Sequence, residues 1–319
     1  MLLIGNVKTD PPLVLAPLSG ISDLPFRLIN RSFGCKLAFT EMISANSLIR
    51  GSKRTLRMLS TSAEDRPLGI QLLGNEPETL KKALGILAGH SFDLIDFNAA
   101  CPAAKIVSRG EGAMLLREPA KFHAILKLIA ANSSIPVTVK IRSGWDTESV
   151  NALEIALRAE DAGVSGIFIH GRTRMQGYGG TVDYDSIRTV KESIKIPVIA
   201  SGDALSPVLV RKLFDETGCD GVALARGTLG NPWIWTETTH YLESGTQLPR
   251  PNEYLITETM KKHLIMNAAF HGEEKGVMLF RKFFVWYARG LAVKELKGRA
   301  FSAVTFNEML RLIDELAAS

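Results

Sequence analysis

The chain has 319 residues, 46% hydrophobic and 22% charged, with a formal net charge of +5. That composition belongs to an ordinary globular protein, and no apolar run approaches the roughly 18 residues that a membrane span needs, so no membrane association is expected. Three cysteines (Cys35, Cys101, Cys219) without CxxC or Cys/His spacing exclude a disulfide scaffold and give no reason to expect a metal site.

The opening "MLLIGNVKTDPP" lacks a basic start and a long apolar core, so it does not read as a signal peptide, and a cytoplasmic protein is expected. Short apolar runs follow at residues 13–17, 37–42, 68–74, 93–98, 136–142, 166–171, 196–202 and 220–225. They are rich in β-branched residues and lack polar alternation, the pattern of parallel strands buried on both faces. Helix-period segments at 76–89, 119–132, 148–162, 183–193 and 206–217 separate them. Glu76-Pro77, Thr147-Glu148 and Ser206-Pro207 supply starts, and Gly163 and Gly218 supply stops. Eight strand–helix alternations over about 220 residues predict an α/β fold, a TIM (β/α)8 barrel. No GxGxxG follows the first strand, which argues against a doubly wound sheet.

After Pro232 the strand signals stop. A linker at 245–254 leads to helical periodicity at 254–271, 277–289 and 305–317, so a catalytic barrel over 1–240 and a small all-helical domain over 241–319 are expected.

In such a barrel the active site lies at the C-terminal ends of the strands. The polar residues there are Gln71 on the third strand, Asn98 with Cys101 just beyond it on the fourth, Lys140 and Arg142 on the fifth, and His170 and Arg172 on the sixth. The seventh strand ends in Ser201-Gly202-Asp203 and the eighth leads into Ala225-Arg226. Any one of these is more often a solvated loop residue than a ligand; six strands converging on one rim are not so easily dismissed. Lys140-x-Arg142 and His170-x-Arg172 have period two, which points each pair to one side of its strand. Gly202, Gly227 and Gly230 leave backbone N–H groups open to an anion, and Arg226 adds charge. Together they suggest a phosphorylated cofactor lying across the mouth.

Six stretches in this order, "LAPLSGISDLPFR" (15–27), "DFNAACP" (96–102), "VKIRSGW" (139–145), "HGRTR" (170–174), "IPVIASGD" (196–203) and "ARGTLGNPWIW" (225–235), resemble the motifs of the tRNA-dihydrouridine synthases, closest to the bacterial B-type branch. The resemblance spans about residues 15 to 290. It implies an FMN enzyme that reduces the C5=C6 bond of uridines in tRNA, with NADPH re-reducing the flavin. Carried onto this chain, it makes Cys101 the proton donor to C5. It places Pro17, Leu18, Ser19, Gln71, Asn98, Lys140 and His170 along the isoalloxazine and ribityl, and Ser201, Gly202, Asp203, Ala225 and Arg226 at the phosphate. The chain departs from the family pattern at Leu18, Ala99-Ala100, Ser201 and Ala225. The residue chemistry agrees with the implied reaction: hydride addition to uracil leaves negative charge on O4 and C5, which calls for an acid and cations. Cys35 and Cys219 read instead as small buried hydrophobes.

The C-terminal stretch 275–299 carries seven Lys/Arg against one Glu. Phe280, Phe283, Phe284, Tyr287 and Leu291 follow a helical stripe and should be buried. Lys282, Trp286 and Arg289 fall on another face and, with Arg142 and Arg172 at the mouth, are the expected RNA contacts. The expected partner is tRNA, bound by a monomer. On residues alone two other readings stay open: a dihydropyrimidine- or dihydroorotate-type FMN dehydrogenase acting on a free base, and a non-catalytic RNA-binding protein.

Overall fold

A computed structural model of the chain describes residues 1–317. Its centre is a closed barrel of eight parallel strands: Leu13–Leu15, Leu37–Ser44, Leu68–Leu73, Leu94–Asn98, Val137–Arg142, Gly166–His170, Val198–Ser201 and Gly221–Leu224. The eighth strand pairs with the first through Val222 and Leu13 and closes the ring. These are the eight apolar runs of the sequence, and most of their residues are buried on both faces, as a parallel sheet flanked by helices requires.

The flanking helices begin and end where local chemistry dictates. Proline opens Pro77–Leu87, Pro119–Ala131 and Pro207–Thr217, a position where its missing N–H costs nothing. The Ser206 hydroxyl accepts from Leu209 N at 3.3 Å, and Gly218 ends that helix at φ +64°. One expected start is corrected. Thr147-Glu148 does not open a helix, because the Asp146 carboxylate accepts from the backbone N–H groups of Glu148 and Ser149 and folds the segment into a turn. The helix starts later, at Ala152.

An unforeseen hairpin of Leu2–Ile4 and Val7–Thr9 plugs the N-terminal end of the barrel. Its three-residue strands are too short to stand out from a terminal segment. Leu2 and Ile4 join Phe39, Leu94, Phe168 and Ile199 in one apolar layer. Phe39 meets Phe168 edge-on at 5.3 Å, and Gly69 makes room for it: a Cβ there would lie 2.1 Å from the Phe39 ring. The hairpin fills that end, and the cavity opens at the C-terminal mouth.

Beyond the helix Ile234–Ser244 come four helices: Glu253–His271, Glu273–Tyr287, Lys294–Ser302 and Phe306–Ala317. The third was not foreseen; it is highly charged and Ala300 is its one buried residue. The expected stripe is buried at Phe280, Phe283, Phe284 and Tyr287, with Leu291 packed against the core. This helical region docks on the barrel. Phe283 stacks on Phe26 at 5.7 Å, and Gly230 lets the chain turn at φ +66° directly under Trp286. A Cβ at Gly230 would sit 2.2 Å from the Trp286 carbonyl carbon, so this glycine lets the helical region pack closely on the barrel. A Cβ at Gly227 would likewise lie 2.4 Å from the Ala204 carbonyl oxygen, so this position too is packed too closely for a side chain.

Candidate active site at the barrel mouth

A cavity of about 370 Å³ opens at the C-terminal ends of the strands. One wall is a hydrogen-bonded chain built on the third and fourth strands. The buried Asp96 carboxylate accepts from Gln71 Nε2 at 2.7 Å and from Thr138 Oγ1 at 2.8 Å. Gln71 Oε1 in turn accepts from Asn98 Nδ2 at 2.8 Å. That fixes the Asn98 amide so that its Oδ1 receives the backbone N–H groups of Ala100 (3.1 Å) and Cys101 (2.9 Å). The loop holding the thiol is thus positioned from a buried carboxylate through two amides. Ala113 N also donates to the Cys101 carbonyl at 3.1 Å, and Gly112, at φ +61°, allows that approach.

The alanines in this loop fit. Ala99 and Ala100 are buried, and among the described residues only Asp203 is a non-glycine with positive φ, so Ala100 carries no left-handed strain. Cys101 is the partly accessible thiol of the three and lines the cavity. Burial pushes the Cys35 thiol up to about 12 and raises Cys219 as well, as expected of packing residues.

The adjoining wall is cationic. Lys140 Nζ donates to Ser201 Oγ at 3.0 Å, and Ser201 Oγ donates to the Ile169 carbonyl at 3.1 Å. Burial lowers the Lys140 ammonium to about 8; the Asp96 carboxylate pulls it up and Arg142 pushes it further down. Asp96 is raised by burial to about 6 against its hydrogen bonds from Gln71 and Thr138. Burial and four surrounding cations drive His170 down to about 2, so its imidazole is neutral at every physiological pH.

The structure divides the expected residues. Cys101, Pro17, Leu18, Ser19, Gln71, Asn98, Lys140, His170, Ser201, Gly202, Asp203, Ala225 and Arg226 all line this one cavity. Gly202, at φ +121°, brings the chain so close that a Cβ would lie 2.9 Å from Val182 Cγ2 and 3.0 Å from His170 Cδ2. Asp203 lies between two guanidinium groups, accepting from Arg172 Nη2 at 2.6 Å and Arg226 Nη2 at 2.9 Å.

Arg142 and Arg172, expected as RNA contacts at the mouth, are each 2% exposed, and of the two Arg142 lines the cavity. Arg142 donates to the carbonyls of Ala100, Thr173 and Gly177, tying the cysteine loop to the loop after the sixth strand. Arg172 donates to Asp203 and to the carbonyls of Gly179 and Gly180. Period two aligns the pairs: Lys140, Arg142 and His170 line the cavity, whereas Arg172 lies behind it against Asp203. The face expected of Lys282, Trp286 and Arg289 is also divided. The half-buried Lys282 ammonium donates to the Gly20 carbonyl and lies 5.2 Å from the Phe283 ring centroid. Trp286 and Arg289 line a separate recess with Arg226 and Arg250.

Residue-type reasoning missed Asp96 and Thr138, which look like ordinary strand interior, and Tyr178. The Tyr178 ring is 62% exposed at the mouth, with Arg226 5.1 Å and Arg142 5.8 Å from its centroid. Its signal was an aromatic in the glycine-rich "QGYGG" loop.

An eight-stranded parallel barrel closed at one end, with a thiol, an ammonium and a neutral imidazole round a cavity at the other, defines a barrel enzyme with its site at the strand ends. Two solved barrel enzymes share the fold at 12% identity: a 2-naphthoyl-CoA reductase (TM-score 0.59, 76% of this chain and 51% of that one) and histamine dehydrogenase from Rhizobium sp. 4-9 (TM-score 0.60, 100% and 64%). The chain spans about half to two-thirds of these longer proteins. The family model described as dihydrouridine synthase (Dus) matches residues 14–318. tRNA-dihydrouridine synthase B of Xanthomonas campestris pv. campestris is 37% identical over 90% of this chain and 86% of its own length. The protein of that name in Vibrio cholerae is 35% identical over 94% of both chains, and a probable tRNA-dihydrouridine synthase of Rickettsia conorii is 36% identical over 91% and 88%. The chain belongs to the dihydrouridine synthase family and is an oxidoreductase of that kind.

Proposed function

We propose that the protein reduces the C5=C6 bond of uridine in tRNA, with FMN in the barrel mouth, NADPH as reductant and Cys101 as the acid. The observation that carries this reading is the convergence in one cavity of a positioned thiol, an ammonium and, beside Gly202, the Arg226 guanidinium. The residues fit an FMN. Gly202, Ala225 and Arg226 lie together on the cavity lining, where backbone N–H groups and a guanidinium would receive a phosphate, and Pro17, Leu18 and Ser19 form a wall for a ring. When bound, the flavin supplies the hydride that adds to C6.

The chain's own residues do the rest. Lys140, hydrogen-bonded to the neutral Ser201 hydroxyl, faces the cavity with an ammonium sustained by Asp96 and would stabilise negative charge developing there. His170, neutral, offers a hydrogen bond without adding to that charge. Asn98 fixes the Cys101 backbone, so the thiol is held at the rim where a proton is needed at C5. Asp203 neutralises Arg172 and orients Arg226 toward the phosphate end. A uridine buried in folded tRNA must leave its stack to enter, and the exposed Tyr178 ring stands at that entrance.

The purified protein should be yellow, and the released chromophore should be FMN. Incubation with NADPH and an unmodified tRNA transcript should yield dihydrouridine, detected by mass spectrometry. Absence of the modified nucleoside, with free uracil reduced instead, would overturn the assignment in favour of a free-base dehydrogenase.

A further inference from the structure

A second recess, of about 390 Å³, adjoins the active cavity between the segment after the eighth strand and the helical region. The two spaces share Leu205 and Arg226, so Arg226 stands on the partition between them. Its Nη2 is turned to the cavity side, where it donates to Asp203. Two further guanidinium groups line the recess: Arg250, ahead of the helix Glu253–His271, and Arg289, just beyond the helix Glu273–Tyr287. Both are exposed, and among the described residues neither forms an ion pair. Arg250 is nevertheless fixed. Its Nη2 donates to the Arg289 carbonyl at 2.6 Å, and Gly290, at φ +82°, leaves it space: a Cβ there would lie 2.6 Å from Arg250 Nη1.

The recess also offers acceptors. Asn231 donates through Nδ2 to the Gly227 carbonyl at 3.2 Å, and its buried Oδ1 has no partner among the described residues. Glu237 lines the same recess; burial raises its carboxyl, so it opposes the arginines less than an exposed carboxylate would. Cations that converge on one concave space, with acceptors among them, suit a single nucleotide better than an extended strand.

We propose that this recess takes the 2′-phosphorylated adenosine end of NADPH, and that Arg250 and Arg289 thereby set a preference for NADPH over NADH. The proposal rests on the reading that a reduced nicotinamide nucleotide recharges a flavin in the active cavity. NADPH differs from NADH only in that 2′-phosphate, a monoester that carries close to two negative charges at neutral pH. Guanidinium groups hold phosphate oxygens through forked N–H donors, and an arginine beside the ribose is how dinucleotide folds accommodate a 2′-phosphate. Asn231 Oδ1 and Glu237 are acceptors for an adenine amino group or a ribose hydroxyl, partners that a row of backbone phosphates does not supply. Because Arg226 borders both spaces, a nucleotide seated here continues into the cavity where its nicotinamide must react.

The test compares the wild-type holoenzyme with Arg250→Ala/Arg289→Ala and with a charge-matched control, Lys82→Ala/Lys127→Ala, on the outer barrel helices. All four positions are exposed. Calorimetry without RNA measures the binding of adenosine 2′,5′-bisphosphate and of adenosine 5′-monophosphate. Wild type should bind the bisphosphate about ten- to hundred-fold more tightly, the effect of one hydrogen bond to a charged group, and the double variant should bind the two alike. In flavin reduction, KM for NADPH should rise by the same factor in the double variant, while KM for NADH and both kcat values stay within about two-fold. The control should match wild type throughout. Equal rises for NADPH and NADH, an unchanged KM for NADPH, or a loss in the control as large as in the double variant would each overturn the proposal. A fall in tRNA affinity with a flatter salt slope, at unchanged nucleotide binding, would give the recess to RNA and overturn it too. A wild-type protein that holds no flavin, or whose flavin NADPH does not reduce, would instead overturn the functional reading on which it rests.

Discussion

Asp96 is the carboxylate from which the active site is organised, and Asp96→Asn separates its charge from its shape. The register sets Asp96 opposite Thr138 and Asn98 opposite Lys140, so Asp96 and Lys140 are diagonal neighbours on adjacent strands. With strands about 4.8 Å apart and about 3.3 Å per residue, that diagonal is about 8 Å. At an effective dielectric constant of about 20, the attraction is about 2 kcal/mol, or about 1.5 pK units. Lys140 titrates at about 8, raised by Asp96 against its burial. Its ammonium is therefore present below pH 8 and lost above it. Removing the carboxylate should move that loss down to roughly pH 6.5, while the asparagine can still accept from Gln71. The assay is the pH dependence of flavin reduction by NADPH between pH 6 and 9.5. Wild type should fall on the alkaline side near pH 8, Asp96→Asn about 1.5 units earlier, and Lys140→Met should show no such limb. An unchanged alkaline limb in Asp96→Asn would refute the idea that this carboxylate sustains the Lys140 charge.

Lys282→Met should loosen the Pro17–Ser19 wall by freeing the Gly20 carbonyl. FMN should dissociate more readily, while the salt slope of tRNA binding stays unchanged; a flatter slope with normal FMN affinity would return Lys282 to RNA contact. Asp65 is fully buried and accepts from Arg27 Nε at 2.8 Å and Arg31 Nε at 3.3 Å. Asp65→Ala leaves the buried Arg27 charge uncompensated and should cost about 3–5 kcal/mol in urea denaturation; a loss under about 1 kcal/mol would show that the site relaxes or hydrates.

The barrel was legible because its strands are short, apolar and regularly spaced, and because proline and glycine mark the helix ends. The cavity lining was legible for a related reason: in a barrel, the last polar residue of each strand has one place to go. Side-chain direction beyond that point was not. Arg142 and Lys140 have the same period and charge, yet Arg142 turns onto three carbonyls, and nothing local announces where those carbonyls lie. Lys282 read as an RNA contact because its partner, Gly20, is 262 residues away. Asp96 was hidden for the opposite reason: a carboxylate inside an apolar strand makes sense only once Gln71 and Thr138 are seen to satisfy it.

The central claim is that Cys101 gives the proton that completes reduction of a tRNA uridine. Pre-reduced enzyme is mixed anaerobically with unmodified tRNA and flavin reoxidation is followed, for wild type, Cys101→Ala and Cys35→Ala. Cys101→Ala should bind FMN and tRNA and accept hydride from NADPH, yet reoxidise about 10²–10⁴-fold more slowly, the contribution of a positioned acid. Cys35→Ala should stay within a few-fold of wild type. Reoxidation of Cys101→Ala at the wild-type rate, with dihydrouridine formed, would contradict the account.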